Sequence, residues 1–162
     1  MEELTVVVLD RPRHADIINR LRKIGARIRL ISDGDVSAAV ATALPDSGVD
    51  VLMGIGGAPE GVLAAAALRC VGGAMQARLK FRNENERERA VRMGVKELDK
   101  IYTAEELAQG DNLMFICTGV TDGDMLEGVR FRADGAVTHS VVMRSLTRTV
   151  RFIKTHHHVH GN

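Results

Sequence analysis

Three short clusters near the start of the chain combine residue types that do chemistry. They are Arg11-Pro12-Arg13, Asp33-Gly34-Asp35, and the run Met53 to Gly61 (MGIGGAPEG), which contains Gly57 and Glu60. A guanidinium presents paired N–H donors that match the oxygens of a phosphate or carboxylate. Asp-x-Asp offers oxygen ligands for a hard cation, acceptors for sugar hydroxyls, or simple turn and cap groups. Glycines ahead of a helix let backbone N–H groups close on an anion that the helix dipole already favours. The run is not Gly-x-Gly-x-x-Gly, because Pro59 stands at the last glycine. It is not a Walker loop either, because no Gly-Lys-Ser/Thr follows. Both departures argue against dinucleotides and nucleoside triphosphates.

A plainer explanation stands beside each cluster. Pro59 suits the first position of a helix and Glu60 the second, where its charge complements the dipole, so the glycines are also explained by a tight turn and a well-capped helix. Three glycines in four residues nevertheless exceed what one turn requires, which favours a hollow that something enters. A phosphate in that hollow would be repelled by Glu60 unless a divalent cation lay between them, so Glu60 reads as a metal ligand. Arg11, Arg13, Asp33 and Asp35 are all residue types common on solvated surfaces, and their placement next to one another is what raises them above that background. His14 reads as a helix-start residue and His139 as a strand residue, rather than as catalysts. Cys70 and Cys117 sit in apolar surroundings with no base nearby in sequence and read as core filling, and Thr121-Asp-Gly-Asp124 reads as a turn. The segment Thr155 to His160, with four histidines, offers closely spaced imidazoles for zinc or is a polar terminus.

The clusters need elements to hold them. Thr5 to Leu9 (TVVVL) is a β-branched run suited to a strand covered on both faces. Pro12 opens a helix in which Ile17, Ile18, Leu21 and Ile24 share a face, and Gly25 stops it. Ile28 to Ile31 is a second strand and Val36 to Leu44 a helix. Val49 to Met53 is a third strand, followed by the glycine loop and a helix over Pro59 to Val71. Repeated strand, loop, helix units argue a parallel α/β sheet, whose ligands sit beyond the carboxyl ends of the strands, so the three clusters should converge. Further on, Ala74 to Phe81 fits a strand or a helix, and Glu84 to Met93 an exposed, charge-laced helix. Thr103 to Gln109 begins with a capping box, and Leu113 to Cys117 reads as a buried strand. The alternating segments after Val129, around Asp134-Gly135, predict antiparallel hairpins.

The whole chain has 162 residues, enough for one domain that buries roughly 70% of its unfolded surface. Lys and Arg total 22 against 21 Asp and Glu, a net charge of +1, which gives no electrostatic reason to expect nucleic acid or a membrane as partner. With no Trp, one Tyr and four Phe, stacking platforms for bases are scarce, and recognition should rest on charge and backbone donors. The absence of a long apolar run or of signal-peptide regions in MEELTVVVLD leads to the expectation of a cytoplasmic protein without a disulfide.

These residues carry a resemblance. DRPRH (Asp10 to His14), ISDGDV (Ile31 to Val36), GIGGAPEGVLAAAALRC (Gly54 to Cys70), MQARL (Met75 to Leu79), TGVTDGD (Thr118 to Asp124), THSVVMRS (Thr138 to Ser145) and TVRFI (Thr149 to Ile153) resemble, in order, the class II fructose-1,6-bisphosphatases. That bacterial family has an inositol-monophosphatase-like fold. The resemblance implies hydrolysis of fructose 1,6-bisphosphate to fructose 6-phosphate in gluconeogenesis with Mg²⁺ or Mn²⁺, and sedoheptulose 1,7-bisphosphate as a further substrate in some members.

Position by position, the resemblance places Arg11, Pro12 and Arg13 on the substrate side. It makes Asp33, Gly34 and Asp35 the substrate-contacting DGD and Gly57 a backbone contact, with Glu60 as a metal ligand. Family members run to about twice this length, so the chain corresponds to their C-terminal half. The expected fold is therefore α/β: a mostly parallel sheet with flanking helices and an antiparallel C-terminal portion, the second half of a layered sandwich. The domain spans residues 1–154 and the His-rich tail 155–162. The remaining metal ligands would lie on a missing N-terminal half, supplied by another polypeptide or compensated in a homo-oligomer, and the chain alone should be inactive. The alternative expectation is a non-catalytic sugar-phosphate-binding or regulatory module.

Overall fold

The computed structural model describes residues 3–158. Strand β1 (Thr5–Leu9) lies between β2 (Arg27–Ile31) and β3 (Val51–Leu52), all parallel. Its central place explains the uninterrupted apolar sequence, since Val6 to Leu9 are all buried. Val6 and Val8 pack against Ile18 and Leu21 of α1 (Ala15–Lys23). Val7 and Leu9 have the opposite parity and are buried on the other face. The helix is entered through a 3-10 turn at Pro12–His14 with the proline at its start, and Gly25, at φ +74°, ends the approach to β2. The sequence predicts β3 over Val49 to Met53, but the ladder is confined to two residues. Beside it, the Asp50 carboxylate accepts the Thr5 N–H at 2.7 Å, and the Met53 N–H donates to the Val7 carbonyl at 3.0 Å. The segment therefore stays extended along β1 outside the strict ladder.

Helix α2 (Asp35–Ala41) stops short of the predicted Leu44, where Thr42 Oγ1 bonds back to the Ala39 carbonyl and the chain turns through Asp46 at φ +60°. Helix α3 (Ala58–Val71) buries Ala64, Ala65, Ala67, Leu68 and Cys70 and leaves Val62 and Leu63 exposed. Ala67 and Cys70 join Val40 of α2, and Ala65 meets Ala104 and Ala108. The ambiguous segment after Ala74 forms a short strand, β4 (Gln76–Arg78), antiparallel to β5 (Ile101–Thr103). Between them α4 (Glu84–Arg92) buries none of its residues. Helix α5 (Ala104–Leu107) follows Thr103 through the expected capping box, Glu106 reaching back to the Thr103 N–H at 3.0 Å.

The remainder is an antiparallel sheet of four strands, larger than the parallel one, so the chain is α/β but not mostly parallel. β8 (Gly135–Arg144) is its spine. It pairs along its full length with β9 (Thr149–His158), and on its other side with β6 (Met114–Thr118) and β7 (Arg130–Arg132) placed end to end. Hairpin connections dictate this, because short turns join only antiparallel neighbours. One face packs on α2 and α3 through Phe115, Val141 and Met143.

The expectation of a fully buried strand at Leu113 to Cys117 fails on alternate residues, since Met114 and Ile116 are 58% and 61% exposed. The run is continuous in apolar character, but it sits in a sheet covered on one side only. β9 also runs four residues past 154, where the sequence placed the end of the domain, because Thr155 to His158 pair with Thr138 to Gly135. His160 lies outside the described residues. Among the described residues no helix is long and apolar enough to cross a membrane.

Candidate functional site

The loops following β1, β2 and β3 meet at the carboxyl ends of their strands, and side chains of the first loop do the joining. Arg11 donates from Nη1 to the Asp10 carbonyl at 2.8 Å and from Nη2 to the Ser32 carbonyl at 2.5 Å, fixing the first loop to the second. Arg13 donates from Nε to the Ile55 carbonyl at 2.7 Å, fixing the first to the third. The second and third loops also approach each other, since a Cβ placed on Gly56 would lie 3.5 Å from Asp35 Oδ2. Arg13 is thus held by the inner nitrogen of its guanidinium. The residue is exposed, and its two terminal nitrogens take no protein partner among the described residues.

His14 completes the junction. It is completely buried and its ring bridges two loops: Nδ1 lies 2.7 Å from the Leu9 carbonyl and Nε2 accepts the Ile55 N–H at 2.9 Å. Nε2 also lies 3.1 Å from the Ile55 carbonyl, so both ring nitrogens are engaged and the ring is a pin between the end of β1 and the glycine loop. It is a helix-start residue, as the sequence suggested, but its structural role was not legible there. The partner of Nε2 comes from a residue 41 positions away.

Two glycines have identifiable reasons. Gly34 takes φ +79° immediately before α2, a left-handed conformation that also lets Ser37 Oγ donate to its carbonyl at 2.7 Å. Gly57 caps α3 where the Glu60 carboxylate folds back, and a Cβ there would overlap Glu60 Oε2. Pro59 and Glu60 occupy the first turn of α3 as expected. Asp35 accepts the Val36 N–H at 3.0 Å through Oδ1 and is half-buried, while Asp33 is exposed.

What gathers is therefore a rim of Arg11, Arg13, Asp33, Asp35 and Glu60 around exposed backbone at Gly54, Gly56 and Gly57. It carries two guanidinium donors, carboxylate acceptors and the N-terminal ends of two helices. That combination suits a ligand bearing both hydroxyls and an anionic group. Glu60 is solvent-exposed and can lend oxygens to a cation, but among the described residues no group of three or more His, Cys, Asp or Glu is assembled to hold one. One carboxylate does not make a hard-cation site, so these residues alone do not fit a resident metal.

The other candidates fall outside the cluster. Asp122 accepts the Gly128 N–H and a bond from Arg130, and Asp124 pairs with Arg29 of β2, so the second Asp-Gly-Asp is structural. Burial pushes the thiols of Cys70 and Cys117 up, away from the thiolate that nucleophilic chemistry needs. His139 lies in β8, with Nδ1 accepting the Glu127 N–H at 3.1 Å.

Comparison with known proteins covers nearly the whole chain. The D-fructose 1,6-bisphosphatase class 2/sedoheptulose 1,7-bisphosphatase of Trichodesmium erythraeum (strain IMS101) is 47% identical over 97% of this chain and 49% of its own length. The proteins of the same name from Synechococcus sp. (strain JA-3-3Ab) and Synechocystis sp. (strain ATCC 27184 / PCC 6803 / Kazusa) are 46% and 47% identical over the same shares. The chain spans about half the length of the curated relatives it matches. Residues 1–157 match the family model described as bacterial fructose-1,6-bisphosphatase, glpX-encoded, and that span takes in all three loops of the cluster and both sheets beneath and beside it. With a match over nearly its whole length, the chain belongs to the glpX-encoded bacterial fructose-1,6-bisphosphatase family.

Proposed function

We propose that this chain is the carboxyl-terminal half of a divalent-metal-dependent fructose-1,6-bisphosphatase, the second half of an inositol-monophosphatase-like sandwich, and that it supplies the sugar-phosphate contacts of the active site. The observation that carries the reading is the convergence of the three loops: Arg11 and Arg13 bond to the second and third loops, and Arg13 keeps two terminal nitrogens without a protein partner among the described residues, in the cluster that holds Asp33, Asp35 and Glu60. Arg13, anchored through Nε, would present its terminal nitrogens to a phosphate of fructose 1,6-bisphosphate. Asp33 and Asp35 would accept from sugar hydroxyls, and the backbone around Pro12, Gly34 and Gly57 would close against the ligand. Sedoheptulose 1,7-bisphosphate, which has the same end groups, is the second candidate substrate.

A divalent ion, Mn²⁺ or Mg²⁺, would polarise the phosphoryl group and activate water. Glu60 would be this chain's ligand to it, and the remaining ligands would come from the other half. The chain's own contribution is therefore to bind and orient the sugar bisphosphate and hold one carboxylate next to it. The proposed setting is cytoplasmic carbohydrate metabolism.

The test is an assay of the purified chain with Mn²⁺ and fructose 1,6-bisphosphate, alone and mixed with the unmatched half of the Trichodesmium relative. Phosphate release should be absent from the chain alone and appear in the mixture. Full turnover by the chain alone would refute the half-site reading. Tight binding of fructose 1,6-bisphosphate in EDTA, with no turnover in either sample, would favour a sugar-phosphate-binding or regulatory module instead. In the active mixture, Glu60→Gln should raise the Mn²⁺ concentration for half-maximal rate by at least about tenfold.

A further inference from the structure

The antiparallel sheet has two faces of unequal finish. Its inner residues, Phe115, Val137, Val141 and Met143, are buried. By the pairing register, Met114 lies on the outer face beside Arg144, Ile116 beside Val142, and Ile153 beside Ser140, while Phe131 stands opposite Ala136 farther along the same spine. Met114, Ile116, Ile153 and Phe131 are 58%, 61%, 42% and 86% exposed. A sheet with one solvated face ordinarily alternates apolar inward and polar outward, whereas here large apolar side chains recur at the outward positions of β6, β7 and β9. The polar groups on that face are largely engaged within it: Thr118 Oγ1 lies 2.8 Å from Ser140 Oγ, and Thr138 Oγ1 2.9 Å from His157 Nε2. β9 is an edge strand of ten residues whose outer edge pairs with no other strand among the described residues.

We infer that this outer face of the antiparallel sheet is the surface on which the other half of the bisphosphatase docks. The inference rests on the reading of the chain as a half-protein, and it commits to that half rather than to a second copy on the following ground. The relatives contain as much sequence again as this chain matches, and a segment of that size must bury its apolar side against something. α1 covers one face of the parallel sheet, and α2 and α3 lie against the inner face of the antiparallel sheet. The outer face gathers Met114, Ile116, Phe131 and Ile153, all exposed, with no covering layer among the described residues. Arg144 and Arg151 are set on the same face, so the docking surface of the other half should carry acceptors or carboxylates opposite them.

The experiment mixes the full chain with the Trichodesmium polypeptide that this chain does not match. It measures affinity by calorimetry and maps protection by amide exchange. Protection of β6, β8 and β9, with Ile116→Lys and Phe131→Glu each weakening the complex by at least about tenfold, is the expected result. Arg22→Glu on the far side of α1 should leave the affinity unchanged. Both disruptive substitutions are at exposed positions, and an unchanged melting temperature for the isolated variants shows that folding is intact. A complex that hydrolyses fructose 1,6-bisphosphate but ignores both substitutions overturns the docking surface while the functional reading stands. A complex that forms through this face yet releases no phosphate supports the docking surface and removes the functional reading. Failure to associate, or self-association of the chain through Ile116, overturns the inference.

Discussion

The loop cluster and the segment from β4 to α5 hold their shapes by opposite means. In the cluster, side chains reach across the chain to backbone groups: Arg11 to Ser32, Arg13 to Ile55, His14 to Leu9 and Ile55. In the other segment the bonds are local: Arg82 with Glu86, Asn83 capping Glu86, Arg92 with Glu88, Lys100 with Glu106. Local exposed ion pairs favour a helix without saying where it lies, since solvent screens them and each orders only its own turn. Long-range bonds to backbone carbonyls fix position, and position is what a ligand site requires.

The largest effect expected from this contrast is at His14. His14→Ala should lower unfolding free energy by roughly 2–4 kcal/mol, because it opens a cavity and strips partners from a buried carbonyl and N–H. Urea denaturation gives the value, and a loss no larger than that of a variant in the β4 to α5 segment, the arm, would erase the contrast. Next, Arg13→Met should leave stability nearly intact while weakening fructose 1,6-bisphosphate binding in the reconstituted enzyme by about tenfold or more, read by calorimetry. Equal affinities would confine Arg13 to tying loops together.

Gly57→Ala should be milder. The added methyl meets the far end of a flexible side chain, so the carboxylate of Glu60 swings aside, and the visible consequence is a higher Mn²⁺ requirement rather than a lower melting temperature.

The smallest effect concerns acid. Glu86 and Glu106 are held below the ordinary glutamate value of 4.5, by hydrogen bonds from Arg82 and Lys100 first and by backbone N–H groups second. A depressed carboxyl contributes its stability above the unfolded value and loses it as pH falls through the folded one. The protection factors of the α4 and α5 amides, taken relative to intrinsic exchange at each pH, should therefore fall as pH drops below 4.5, while those of β1 hold. Simultaneous loss in both regions would show that the arm is not the independent unit its local bonding implies.

The same contrast explains what was legible in the sequence. TVVVL, the Pro12 helix start, the Gly25 stop, the capping box at Thr103 and the glycine run before α3 are local signals, and the elements they announce are present. Convergence of the three loops followed from parallel topology, and the arginine bonds bear it out. The pin at His14 escaped because its meaning lies in Ile55, brought near only by the fold. Met114 and Ile116 were misjudged because a continuous apolar run records that a strand is apolar on both sides, not which layer covers each. The three histidines at the end of β9 are weak strand formers, and only their pairing with β8 makes them one.

Helix α3 carries Glu60 on its first turn, and farther along its length Ala67 and Cys70 press on Phe115, Val141 and Met143 of the antiparallel sheet. The contacts of Ala67 and Cys70 are a methyl group and a thiol, which have few rotamers through which to absorb a displacement. A shift of the sheet by a fraction of an ångström would therefore be passed along the helix axis as if along a rod. Whatever seats itself on the far side of that sheet would in the same motion set the height of the carboxylate in the cleft.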